Sequence, residues 1–581
     1  MPNKFKSKIY SIIINRKLLQ WLPLFWLVIF LVIPILFLTF FPFISVSSNG
    51  NVAFNLNIEN IAVIFNSNYL EAVFTTFQLA MFSAILATIL GFYLAYFATF
   101  LRSNVIHFVI ILLLLAFLIN PVIQFQAIKN LLTSNGSLNA FLLAKGFIHS
   151  PFIINDFWLI SLGLIYRYIP IVFFFSIFPL RNTDLSLLES SLDLGANRFY
   201  IYWKIIFKGA LKNIFVIFSI VFLLCIGNIS TSISSNFHHN LLTGIVVDDF
   251  FTSSQYPLLS SHLFPFCILT FLFIAVFNFY FNRNTSKLYS AGYKKISKYK
   301  CISIGKEPLS MIINVAVLAF FVIMILNLIL FSFNEGVSNA NFTGFSLEWY
   351  SKIFKDKAII AASKNTFIVS VFASAIATIL AGMLAISASK YRDLRRHSFF
   401  KFIRFPFFIS EILFGMSFAV TANYLGLSHN VILAIIFLSV YCLFFATVLI
   451  YTQIQALDTN IEGASLDLGA NYVQTFFLIT LPTLRPIITS CFLLVFVFIF
   501  NEFTIIYLVF GNDFVLLPPK LLELTSRNNL MFNALSTLMI LLSALLLITG
   551  NIFHYYNKWN MVIKYCLIIL MFIFSFIFLL F

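Results

Sequence analysis

An all-α polytopic membrane fold of two parallel six-helix repeats, with an extra C-terminal helix, is predicted by three features of this sequence. They are its composition, the spacing of its apolar runs and a heptapeptide that occurs twice. Of 581 residues, 61% are hydrophobic and 10% charged, and the mean hydropathy is +0.99. Water-soluble domains carry roughly 45–50% apolar and about 25% charged residues. A soluble enzyme, a nucleic-acid-binding domain and a disordered scaffold are therefore excluded. The formal charge of +16 does not call for nucleic acid, because it has a topological cause. The 77 Phe fill lipid-facing positions and say little about mechanism.

A helix crosses the hydrocarbon with roughly 20 apolar residues. Such runs lie near 22–43, 72–100, 106–128, 157–180, 211–233 and 259–281, then near 309–333, 359–388, 403–424, 431–452, 486–510 and 531–554. A last run, 565–581, is of marginal length. The first run follows Lys4, Lys6, Lys8, Arg16 and Lys17, as a signal peptide would. It is too long for a signal core and lacks a small-residue exit, so it reads as a retained helix. With the N-terminus in the cytoplasm, about three quarters of the 36 basic residues fall in cytoplasmic segments, as the positive-inside rule requires. The expected organisation is a first half at 1–285, a basic cytoplasmic linker at 286–308, a second half at 309–556 and a thirteenth span within 557–581.

Ser191-Leu-Asp-Leu-Gly-Ala-Asn197 returns as Ser465-Leu-Asp-Leu-Gly-Ala-Asn471, each time in the loop between the fourth and fifth spans of its half. Ala87-Thr-Ile-Leu90 returns as Ala377-Thr-Ile-Leu380, each time in a second span. The interval between the two anchors is longer in the first half, and the outer loop 131–156 accounts for the difference. Six spans per half put both repeats into the membrane in the same direction, so they are parallel. Each heptapeptide loop reads as a short amphipathic helix, a glycine turn at Gly195 or Gly469, and another helix. Two such helix pairs facing the cell interior form a docking surface for something there. The alternative is a pair of interfacial helices lying on lipid headgroups.

These loops resemble the EAA loop of permease subunits of bacterial ABC importers, whose pattern is E-A-A-x-x-x-G, nine residues, then I-x-L-P. The second loop matches the tail, Gly469 followed by Ile479-Thr-Leu-Pro482, but has Gly463 at the usual Glu position with Glu462 beside it. The first keeps the head, Glu189 to Gly195, and has Ile205-Ile-Phe-Lys208 in place of the tail. More narrowly, the chain is similar to the two spermidine/putrescine permeases fused head to tail. The second half carries this through Gly344-Phe-Ser-Leu-Glu-Trp-Tyr350, Glu411-Ile-Leu-Phe-Gly415, Asn501-Glu-Phe503 and Asn533-Ala-Leu-Ser-Thr537. The first half does so through Leu94-Ala-Tyr-Phe97 and Gly136-Ser-Leu-Asn139. Ferric-iron, thiamine and aminophosphonate permeases share much of this pattern.

The resemblance implies the type I ABC importer permease fold in the bacterial cytoplasmic (inner) membrane, with a lipid bilayer around it. It also implies a cytoplasmic ABC ATPase dimer, which hydrolyses the ATP, and an extracytoplasmic substrate-binding protein. ATPase coupling would fall to Glu189, Asp193, Gly195, Ala196, Glu462, Asp467, Gly469, Ala470 and Pro482. The chain has no G-x-x-x-x-G-K-[ST] loop, so no nucleotide chemistry of its own is expected. Its six scattered Cys, without a CxxC or Cys/His cluster, indicate neither a metal site nor a bound cofactor.

Ionisable residues inside a membrane are costly and so mark function. Glu502 lies in the eleventh expected span beside Asn501, and its repeat counterpart is Asn228. A carboxylate and an amide facing each other across a pseudo-twofold axis suit an amine cation. Glu411 is a second candidate for the pathway, and Arg167 an internal partner for one of the acids. The competing reading places Glu411 and Glu502 near helix ends, in contact with headgroup water. Tyr166, Tyr168 and Tyr507 are candidates for cation–π contacts. Two other classes, a secondary transporter and a membrane scaffold, lack a reason for two glycine-turned docking loops, and the former would usually show inverted repeats.

Overall fold

A computed structural model describes residues 16–46, 52–56, 62, 65–99, 101, 103–181, 190–282 except 192, 198–199, 236 and 253–255, 308–389 except 337–338, and 409–555 except 428–429, 456–459 and 511–514. The linker before Pro308 and the expected thirteenth span lie outside the described residues. The first span, Trp21–Phe43, leads into an antiparallel strand pair, β1 (Ile44–Val46) and β2 (Val52–Leu56). The membrane-crossing part is all-α as expected, and this small hairpin is added to it.

The first half continues with α1 (Ser67–Thr99), α2 (Ser103–Leu118), α3 (Pro121–Leu132), α4 (Asp156–Arg181), α5 (Lys208–Ile226), α6 (Ile229–Ile233), α7 (Leu242–Thr252) and α8 (Tyr256–Asn282). The second half opens with α9 (Pro308–Ser332), α10 (Glu348–Lys355) and α11 (Lys357–Ser389). It goes on through α12 (Glu411–Tyr424), α13 (Val431–Gln455), α14 (Asn460–Asp467) and α15 (Leu481–Phe500) to α16 (Thr504–Phe510), α17 (Leu517–Arg527) and α18 (Asn529–Tyr555).

Among the described residues nine helices are long and apolar enough to cross a membrane, or ten if one bent pair is counted as a span. The straight third span expected at 106–128 is that pair: the chain turns by 100° between Leu118 and Pro121. Expected spans at 211–233 and 486–510 each begin earlier, at Trp203 and Phe476, and each is interrupted inside. The sixth expected span, 259–281, lies within α8 (Tyr256–Asn282).

The repeat reaches individual bonds. Thr76 Oγ1 accepts the backbone N–H of Leu242 at 2.9 Å, and Thr366 Oγ1 accepts that of Leu517 at 2.8 Å, so α7 and α17 are pinned to α1 and α11 in the same way. Both α1 and α11 run for 33 residues, and each packs along its fourth-span partner, α4 or α13. A Cβ at Gly91 would lie 2.6 Å from that of Val172, which only glycine avoids at such a close helix crossing. At the matching positions of the second half stand Ala381 and Ala446, both fully buried. The volume is redistributed and the spacing kept.

The halves are interlocked by their first spans. Trp21–Phe43 packs against α11, α12 and α13 of the second half, with Trp26 Nε1 donating to Ser439 Oγ at 3.3 Å and the Phe37 ring tilted against that of Tyr424, centroids 5.2 Å apart. Reciprocally, α9 packs against α1, α2 and α3, with Phe321 4.5 Å from Tyr166.

Candidate functional site

Two breaks in otherwise continuous helices organise the centre. Beyond the outer loop 131–156 the repeat offset is 274 residues (469 − 195), so Gly227 corresponds to Asn501 and Asn228 to Glu502. Helix α5 stops at Gly227 and α15 at Asn501, and both chains restart within three residues. The restart needs a cap for its orphan N–H groups. Asn228 Oδ1 accepts from Thr231 N (3.1 Å), Thr231 Oγ1 (2.8 Å) and Ser230 Oγ (3.1 Å), while Glu502 Oε1 accepts from Ile505 N at 3.4 Å. Carboxylate and amide thus share one local role. Freed carbonyls are also served: Tyr168 donates its hydroxyl to Leu224 O, and Asn228 Nδ2 donates to that hydroxyl at 3.1 Å. The Asn501 amide turns aside, donating to Val497 O and Ser543 Oγ.

The third-span break of the first half sits on the fifth-span break of the second. Asn120 caps α3 by accepting from Val122 N at 2.9 Å, and its Nδ2 reaches across to donate to Asn501 O at 3.0 Å. Gln124 Nε2 closes the last carbonyls of α2, Ala116 O and Ile119 O. In the opposite crossing Ser410, just before α12, lies so close to Gly227 that any Cβ at 227 would collide with it. Asn120→Ala removes cap and crossing bond together, whereas Asn120→Ser keeps a cap acceptor and loses the long donor. An N-cap contributes ~1 kcal/mol and a net buried hydrogen bond about 1. Thermal unfolding in detergent should therefore rank wild type above Ser and Ser above Ala; equal melting of all three would show that the crossing carries no stability.

Beside these seats lies a buried charge cluster. Arg167 Nη2 on α4 meets Glu411 Oε1 on α12 at 2.8 Å, an ion pair between the halves. Thr504 Oγ1 donates to Glu411 Oε2 at 3.2 Å, and the guanidinium lies 5.8 Å from the Tyr168 ring centroid. Glu502 interacts electrostatically with both Glu411 and Arg167. All three charged residues are buried, with exposures of 8% (Arg167), 6% (Glu411) and 5% (Glu502). Two carboxylates and one guanidinium leave a formal −1. The asymmetry is local, since the repeat counterparts of Arg167 and Glu502 are Tyr441 and Asn228. Of the sequence candidates, Arg167, Glu411, Glu502 and Asn228 come together here, while Asn501 contributes its backbone oxygen. Asn120, Thr504 and Tyr441 were not singled out from sequence. For Asn120 a signal existed, because Asn-Pro inside an apolar run is a turn signature.

The two heptapeptides form matching turns at one end of the bundle. Gly195 and Gly469 have φ of +78° and +86°. Ala196 N donates to Ser191 O and Ala470 N to Ser465 O, the 6→1 closure of a Schellman end. No heavy atom lies within 4 Å of a Cβ built at either glycine, so the left-handed backbone alone selects glycine, a preference of about 1–2 kcal/mol. Leu194 and Leu468, at the apices, are 87% and 88% exposed; they too were overlooked as site residues. Asp193 and Asp467 are exposed, and Ala196 and Ala470 half-buried. Glu189 and the side chain of Glu462 lie outside the described residues, and Pro482 occupies the first turn of α15. The second turn is tied to the segment after it. Asn471 and Gln474 form a reciprocal capping pair (3.0 and 2.8 Å), and Ser465 Oγ bonds Thr475 Oγ1 at 2.8 Å.

Comparison with known proteins agrees with this architecture. Residues 377–558 match the family described as "Binding-protein-dependent transport system inner membrane component". The spermidine/putrescine transport system permease protein PotC of Haemophilus influenzae is 27% identical over 237 residues, covering 41% of this chain and 92% of that protein. For the putrescine transport system permease protein PotI of Escherichia coli K12 the figures are 27% over 247 residues, 41% and 88%. PotB of H. influenzae, a spermidine/putrescine permease, is 26% identical over 281 residues, covering 47% and 93%. Each relative is matched along most of its length by less than half of this chain, as a fusion of two permeases requires.

Proposed function

Starting from this similarity to polyamine permeases, we propose that the chain is the complete translocation pathway of an ATP-driven importer, with two permease halves joined by the linker at 286–308. Its cargo is a small organic cation of the polyamine class. The observation that carries the cation reading is the buried Arg167–Glu411–Glu502 cluster at the contact of the halves. With both carboxyls ionised the cluster carries a formal −1, which in a low-dielectric passage attracts a cation and repels an anion. The glycine turns at Gly195 and Gly469, with Asp193, Ala196, Asp467, Ala470 and Leu194 or Leu468 around them, would each seat in one subunit of a cytoplasmic ATPase dimer. Closing of that dimer would then rock the halves about their crossed third and fifth spans. Differential contact in the two states is what such a device needs, and the interlocked first spans keep the halves together as they move.

In this reading the N-terminus and both turns are cytoplasmic, the chain sits in a bacterial inner membrane, and a binding protein delivers cargo from the other side. ATP is hydrolysed by the partner subunits alone. Reconstitution with an ABC ATPase and a substrate-binding protein from the same organism tests it, comparing uptake of putrescine, spermidine, ferric ion, thiamine and an aminophosphonate. Uptake confined to the amines is expected. Uptake of the aminophosphonate alone would overturn the cation reading while leaving the importer architecture standing.

A further inference from the structure

We propose that Arg167 is a resident counter-ion: it occupies Glu411 in this conformation and gives that carboxylate up to the incoming ammonium group. The proposal rests on the cation reading of the proposed function and deepens it.

Three features of the geometry carry it. The guanidinium is under-used for a buried arginine. Its Nη2 holds Glu411 Oε1, yet its Nε is buried without any hydrogen-bond partner, and Arg presents five donors in all. A residue placed for stability alone would satisfy them, since unpaired buried donors are costly. The second carboxylate is differently placed. Among the described residues Glu502 makes no ion pair, and its hydrogen bonds come from the backbone N–H groups of Ile505 and Thr504. One carboxyl thus makes no ion pair among the described residues, while the other is masked by the protein's own cation. Finally, the masked pair spans the halves, α4 to α12, beside the seats of Asn120 on Asn501 and Ser410 on Gly227. Exchange of Arg167 for a diffusible cation at Glu411 removes a bond between the halves at the moment the site fills.

The chemistry is a displacement of one cation by another, with no covalent step. An amine enters, engages Glu502 and then competes with Arg167 for Glu411. The released guanidinium stays beside the Tyr168 ring, whose face accepts it. Because the resident cation must be displaced, the observed affinity for amine is weaker than the intrinsic affinity of the two carboxylates, as for any site whose competent state is only partly populated. A weak, releasable site suits a passage better than a tight one.

The test is equilibrium binding of radiolabelled putrescine to the purified full chain in lipid nanodiscs, without ATPase or binding protein. Arg167→Gln removes the competitor and should tighten binding by about tenfold. Arg167→Lys keeps the charge, so Glu411 is never left unpaired, but reaches less far; it should tighten binding about threefold and serves as the deciding variant if Arg167→Gln does not fold. Glu502→Gln should weaken binding in either background. Unchanged or weaker binding in the Arg167 variants that fold, with measurable binding to wild type, would overturn the counter-ion role alone. Absence of binding to wild type and to both variants at millimolar putrescine would overturn the cation reading itself, and the proposal with it.

Discussion

Glu502→Gln cuts amine uptake by roughly 10- to 100-fold while the protein inserts and binds its ATPase normally; this is the expected result with the largest effect on transport. The size follows from the charge-assisted bond that an ammonium loses, about 1.5–3 kcal/mol. Folding should be spared because Gln keeps an Oε1 that can accept the Ile505 N–H, so the cap of α16 survives. The Arg167–Glu411 pair also stays intact, and the cluster becomes formally neutral. Arg167→Gln is the companion: it leaves Glu411 uncompensated, which for a buried pair costs about 3–5 kcal/mol, yet it makes the passage more attractive to cations. An anionic cargo inverts the pattern, tolerating Glu502→Gln and failing with Arg167→Gln. Uptake assays in membranes carrying each variant separate the two, and full amine uptake by Glu502→Gln would remove that carboxylate from the pathway.

The gross architecture was legible because it is written in composition and period. Apolar runs of about 20 residues and a repeated heptapeptide need no tertiary information. The interruptions were less legible. Asn120-Pro121, Gly227-Asn228 and Asn501-Glu502 all sit inside apolar stretches long enough to read as single spans, and hydropathy averaged over such a stretch cannot register one capping residue. The charged candidates were found because any ionisable residue in a membrane stands out, but their pairing was not. Arg167 and Glu411 are 244 positions apart, and only the crossing of the halves brings them to 2.8 Å. Glu502 shows the opposite limit. Its repeat counterpart Asn228 marked it as a pathway residue, while the shared capping role of the two was invisible without the helix break.

The other large effect is expected at the turns. Leu194 and Leu468 are almost fully exposed at the apices of two rigid glycine turns, where a large apolar side chain adds nothing to the stability of the chain by itself. Burying a Leu in a partner contributes about 1.5–3 kcal/mol, so Asp at either position should weaken ATPase binding by roughly 10- to 100-fold, and Asp at both should abolish co-purification. The two loops should not respond alike. The Asn471–Gln474 capping pair and the Ser465–Thr475 bond join the second turn to the segment leading into α15. At the matching positions of the first half stand Asn197 and Tyr200, and Ser191 and Ile201; Tyr lacks the side-chain carbonyl that accepts the Asn471 N–H, and Ile lacks the hydroxyl that meets Ser465. A push on the second turn is therefore passed to α15, and through it to Asn501 and Glu502, with less slack. Leu468→Asp should thus depress transport per ATP hydrolysed more than Leu194→Asp at equal ATPase occupancy, measured in proteoliposomes. Undiminished co-purification of the double variant would rule out the apices as the docking contact. Equal loss from the two single variants would show that the extra bonds of the second loop do not bear on coupling.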